Sequence, residues 1–115
     1  MKPHPYQITL TFLLYPSEDS PDRMVAHCLE FDAVAVEDTP EKAILLLKEL
    51  IDDLMSEAIK DGTVDELFHP APAEYWKMLA NAREYVAPEK VRRRHIRAKP
   101  IGRVGYAMAY QGSVS

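Results

Sequence analysis

Apolar residues alternate with polar or small ones in the first part of the chain and then change to helical spacing. Between Gln7 and Leu14, the residues Ile8, Leu10, Phe12 and Leu14 fall on one face, with Thr9, Thr11 and Leu13 on the other; this period of two predicts a strand with one well-buried side. Pro16 to Asp22 is a polar, proline-bounded run that reverses the chain. A second strand follows over Arg23 to Leu29, with Met24, Ala26 and Cys28 on one face and Val25, His27 and Leu29 on the other. Phe31-Asp32 leaves room only for a tight reversal into a third strand, Ala33 to Val36.

From Thr39 to Asp61 the period changes. Ala43, Ile44, Leu47, Leu50, Ile51, Leu54, Met55 and Ala58 recur at intervals of three and four, which predicts an amphipathic helix of about six turns. Lys48, Glu49, Asp52, Asp53, Ser56, Glu57 and Lys60 are left facing outward. Thr39 supplies an N-cap hydroxyl, Pro40 suits the first helical position, Glu41 suits the positive end of the dipole and Gly62 provides a left-handed stop. Beyond the connector His69-Pro70-Ala71-Pro72, a shorter helix is expected over Ala73 to Tyr85, with Trp76 in the core or an interface. Val91 to Pro100 and Arg103 to Tyr110 read as strands, at least one of which adds to the sheet.

Together these elements predict an α+β domain of β-β-β-α-α-β order, a three- to four-stranded antiparallel sheet covered by one long helix. The chain of 115 residues, 47% apolar, fits one domain with its core in residues 6–61 and the second helix and basic segment in 70–115. No apolar run is long enough for a membrane span and no signal peptide is visible, which places the expected location in the cytoplasm. The one cysteine, Cys28, cannot form an internal disulfide.

Charge adds a second pattern. Residues 1–66 hold fifteen acids against five bases, and residues 67–115 hold three acids against nine bases. The two regions are expected to pair with each other or to attract different partners. The basic run Lys90, Arg92, Arg93, Arg94, Arg97 and Lys99 is the one candidate for contacting nucleic-acid phosphates, through Arg92, Arg93, Arg94 and Arg97.

The string MVAHCLEFDAVAVEDTPEKA, from Met24 to Ala43, resembles the amino-terminal domain of the HicB-like antitoxin family. Val25, Ala26, Cys28 and Glu30 match the family's second strand, Asp38, Thr39, Glu41 and Ala43 match its helix start, and Tyr6 to Tyr15 matches its first strand. The resemblance covers Tyr6 to Lys60. Glu37 stands where the family has glycine, and the short Phe31-Asp32-Ala33 turn is nearer to the stand-alone members. The resemblance implies a reduced ribonuclease-H-like fold and a non-enzymatic role, the binding and blocking of a small basic RNA-cleaving toxin. Glu30, Asp32, Glu37 and Asp38 would form the partner surface by charge complementarity. A DNA-binding carboxyl-terminal domain would need a further pair of helices after Gly62, and one is visible. Free edge strands and the Tyr106, Met108, Tyr110 face lead to the expectation of a homo-oligomer, a dimer in the simplest case.

No catalytic pattern is visible. There is no serine elbow or phosphate loop, and His4, His27, His69 and His95 are scattered. His27 reads as structural because one imidazole without an orienting partner has no mechanism. Cys28 reads as a small buried apolar residue. The loop acids are expected to be solvated rather than to hold a metal, and no cofactor is implied; a residual metal-dependent nuclease would need a strand-borne carboxylate that Gln7 to Leu14 does not supply.

Overall fold

The computed structural model describes residues 3–85 and 102–113, with side chains from 8 to 85 and from 102 to 106. Strands β1 (Pro3–Pro16), β2 (Met24–Cys28) and β3 (Ala33–Glu37) lead into helix α1 (Pro40–Asp61); a 3₁₀ turn (Val64–Leu67), helix α2 (Ala73–Ala80) and strands β4 (Arg83–Glu84) and β5 (Gly102–Ser113) follow. The sheet has five strands in the order β3-β2-β1-β5-β4. The contacts β1–β2, β2–β3 and β1–β5 are antiparallel and β4–β5 is parallel. The sheet is therefore larger than the expected three or four antiparallel strands, and it is mixed.

The additional strands come from the last part of the chain. β5 pairs with β1 over twelve positions, from Pro3↔Ser113 to Leu14↔Gly102, so the carboxyl-terminal strand lies beside β1. The expected second helix stops at Ala80 rather than Tyr85, because Arg83 and Glu84 pair with Gly102 and Arg103 and the Tyr85 N–H donates to the Arg103 carbonyl at 3.0 Å. Val91 to Pro100 lies outside the described residues.

The long helix begins and ends as its sequence predicts. Thr39 is extended and its Oγ1 accepts from the Lys42 N–H at 3.2 Å, while Gly62 takes φ 70° and closes the last turn. Ala43, Ile44, Leu47, Ile51, Met55 and Ala58 are buried against Leu10, Phe12, Leu14, Met24, Ala26, Cys28 and Ala35 of the sheet. Leu50 departs from the expected inward face and is 36% exposed, beside Leu45 and Leu46 at 60% and 40%.

The opposite face of the sheet is also covered. Leu13 and Leu29 are fully buried there with Ala71, packed by Tyr15, Tyr75, Trp76, Met78 and Leu79. The connector is pinned across the end of β2 by the Ala71 N–H donating to the Leu29 carbonyl at 2.8 Å, and the Trp76 indole donates to the Ala71 carbonyl at 3.0 Å. One helix therefore does not cover this sheet alone. Leu13→Ala should cost about 2–5 kcal/mol in chemical denaturation, the range for truncating a packed core leucine; a change below about 0.5 kcal/mol, the surface range, would mean that this face is effectively open.

Candidate functional site

Three segments meet at His27. Strand alternation sends Cys28 toward α1 and His27 toward α2, and the His27 side chain is 3% exposed. A buried imidazole needs partners for both ring nitrogens, and it has them. Tyr15 on β1 places its hydroxyl 2.9 Å from Nδ1, and Asp32 places Oδ1 2.7 Å from Nε2. The expected lack of an orienting partner does not hold, because the β2–β3 reversal carries Asp32 back over the strand. Asp32 has φ 54°, the one positive φ outside glycine among the described residues, a conformation that aspartate tolerates better than most residues.

These hydrogen bonds assign the tautomer of a neutral ring: Nε2–H donates to the Asp32 carboxylate and the Tyr15 O–H donates to Nδ1. Tyr75 on α2 closes the group, its ring edge-on to His27 at 4.6 Å and stacked on Tyr15 at 5.8 Å. Burial first, then the neighbouring Tyr75 and the Asp32 and Glu18 charges, hold the Tyr15 phenol well above its ordinary value near 10. The phenol therefore stays protonated and is a poor nucleophile. Asp32 is the one member with substantial exposure, 44% of its side chain. Every polar atom at the core of this group is satisfied from within the fold, and neither surface hollow described below reaches it. Its visible work is to tie β1, β2, the β2–β3 turn and α2 together.

The four acids anticipated as a partner surface take separate positions. The Glu30 carboxylate accepts the Thr11 N–H at 2.8 Å, just where the Leu29 N–H donates to the Thr11 carbonyl at 3.0 Å; it ends the β1–β2 ladder by occupying the next open donor of β1. Asp32 holds His27. Asp38 lies 3.5 Å from Arg23 in an exposed ion pair, a type worth at most about 1 kcal/mol. Glu37 faces elsewhere, lining a shallow hollow of about 200 Å³ with Lys42, Leu45, Leu46 and Glu49. Arg92, Arg93, Arg94 and Arg97 lie outside the described residues. Among the described residues no group of three or more His, Cys, Asp and Glu side chains is arranged to hold a metal, and no helix is long and apolar enough to cross a membrane.

A second hollow, about 380 Å³, opens where α2 ends, lined by Thr11, Leu79, Glu84, Arg103, Val104 and Gly105. On the other face of β5, Tyr106 is packed against Phe12 with ring centres 5.3 Å apart and lies beneath Lys48 at 5.1 Å. It is thus occupied within its own chain; the side chains of Met108 and Tyr110 lie outside those described. Sequence reasoning missed Tyr15 and Tyr75 as partners of His27, and it missed the exposed Leu45 and Leu46, whose positions adjoin the helical stripe. No protein-family model, curated protein or solved structure matches this chain.

Two measurements test this chemistry. Folding favours the protonated Tyr15 phenol, so its contribution is complete below pH 10 and is lost as pH rises above that value, where the unfolded chain ionises first. Tyr15→Phe should remove that part of the alkaline loss and should cost about 1–3 kcal/mol at neutral pH by leaving His27 Nδ1 unpaired, both read from denaturation curves across pH. Cys28 is fully buried and burial pushes its thiol up to about 11, so a thiol reagent at pH 8 should label it only as fast as the protein unfolds.

Proposed function

We propose that this chain is a non-enzymatic protein-interaction module similar to the HicB-like antitoxins, acting in the cytoplasm by covering a small basic RNA-cleaving toxin. The observation that carries the reading is the surface on the β3 side of α1. Leu45 and Leu46 lie exposed there with Glu37, Lys42 and Glu49, and Leu50 is exposed one turn beyond Leu46, so that apolar anchors stand beside two acids and one base. A protein that grips RNA is basic, and a partner of opposite charge gains encounter rate and orientation from that complementarity. His27 is buried and both its ring nitrogens are spent on Tyr15 and Asp32, which favours a structural role for this group.

A second reading, homo-oligomerisation, is favoured by one feature of the sheet. β2 pairs with β1 only from Phe12 to Pro16, whereas β5 follows β1 back to Pro3. Between Pro3 and Leu10, β1 and β5 form a two-stranded ribbon with no third strand on the β1 side among the described residues, and such ribbons gain stability by recruiting another layer or strand. A dimer by light scattering is expected on this reading, and a monomer at tens of micromolar, an ordinary working range, would remove it.

The primary test is whether a small basic protein is encoded beside this chain and, where one is, whether this chain suppresses its RNA-cleaving activity. Purified chain added at equal concentration should suppress cleavage, and the inhibition should weaken as salt rises. Undiminished cleavage at about tenfold excess, well beyond a stoichiometric complex, or a neighbouring gene of another kind, would overturn the toxin-blocking function.

A further inference from the structure

The first half of α1 carries a patch whose charges are matched by its own reverse. Lys42, Leu45, Leu46 and Glu49 are all exposed, the two leucines at 60% and 40%, and together they line one shallow hollow with Glu37. At 3.6 residues per turn the four fall within about 100° of arc, on the side of the helix opposite Leu47, Ile51 and Ala58, which are buried. The patch therefore points away from the sheet. Lys42 and Glu49 are seven residues apart, two turns along one line of the helix, with Leu45 and Leu46 between them and to either side of that line. Among the described residues, neither charge has an ion pair within its own chain.

The order base, two leucines, acid selects the occupant. Two copies of α1 laid parallel would set Lys42 on Lys42 and Glu49 on Glu49, like charges at both ends of the strip. A two-fold axis passing between Leu45 and Leu46 lays the helices antiparallel instead. Four leucines then gather at the axis, and each Lys42 stands level with the Glu49 of the other copy, so one geometry answers both charges at once. A uniformly basic partner answers Glu49 but not Lys42. We infer that α1 pairs with α1 of a second copy of this chain in this antiparallel two-fold arrangement, through Leu45 and Leu46 at the centre and a Lys42–Glu49 pair at each end. The strip is smaller than a standard protein interface of roughly 1,600 Å² in total, so the dimer is weak and its population follows concentration. The inference goes beyond the toxin-blocking reading and stands without it. Where both hold, the strip takes one occupant at a time, and a basic partner has to displace the second copy.

Sedimentation equilibrium of the full chain from about 10 µM to about 500 µM, a range suited to weak association, should show a monomer–dimer equilibrium. Leu45→Asp with Leu46→Asp should weaken it about tenfold or more, as loss of central interface anchors does. Lys42→Glu alone and Glu49→Lys alone should each weaken it about threefold or more, since every change acts twice in a two-fold interface. The two single variants should associate when mixed, and the chain carrying both Lys42→Glu and Glu49→Lys should dimerise as the unaltered chain does. Lys42→Glu places an acid three residues after the Thr39 cap, where a capping box uses one, and all four positions are exposed; circular dichroism verifies that the variants fold. A monomer throughout the range, a dimer indifferent to the leucine changes, as one held through the β1–β5 ribbon would be, or a double charge variant no better than the single ones would overturn the inference. Suppression of RNA cleavage is read separately. A dimer without suppression overturns the toxin-blocking function and leaves the α1 pairing standing, whereas suppression by a chain that stays monomeric overturns the pairing alone.

Discussion

β1 is buried on both faces where it crosses the middle of the sheet, and the other elements answer to that constraint. Leu10, Phe12 and Leu14 need cover from one side and Leu13 from the other; all are 0–1% exposed. A sheet so loaded is stable only between two layers. α1 supplies one. The second is assembled from short pieces, a connector pinned at Ala71 and the two-turn α2, neither long enough to hold its place without the strand surface beneath.

That unequal cover explains the position of His27, the one buried polar side chain among the described residues. His27 lies beneath the weaker layer, where a helix as short as α2 cannot seal the sheet with aliphatic side chains alone. Tyr15 and Tyr75 fill the space with rings while bringing hydroxyls, and Asp32 closes the remaining nitrogen from the turn. Apolar bulk is combined there with directional bonds, which fix the angle between turn, strands and helix more narrowly than packing alone. Such a network is demanding, since each member left unpaired would be a buried polar group without a partner.

How much of this could be read in the sequence follows from the range of the interactions. Local signals were legible: the cap at Thr39, the stop at Gly62, the alternation that separates His27 from Cys28 and the stripe of α1 all depend on neighbours within a few residues. Leu13 held a non-local clue. It breaks the polar face of β1, and a leucine among threonines meant that something else was coming to cover it. Tyr15 and His27 are twelve positions apart and become partners only through the strand register, which no short window reveals. Glu30 and Asp32 looked like a shared acidic surface because they are close in sequence, yet each is turned to a different internal donor. The exposed Leu46 was hidden for the opposite reason: at helical spacing it lies one step from the buried stripe, and its exposure depends on where the sheet ends.

The parallel contact between β4 and β5 makes Tyr85 and Arg103 neighbours. The chain therefore departs from the sheet and rejoins it at one corner, and the sixteen residues between Tyr85 and Gly102 form a circuit closed at its base. The entropy of closing such a circuit changes only with the logarithm of its length. The clamp at its base, Arg83 and Glu84 beside Gly102 and Arg103 with the Tyr85 N–H on the Arg103 carbonyl, sets where β5 begins against β1 and so fixes the register of the strand that follows.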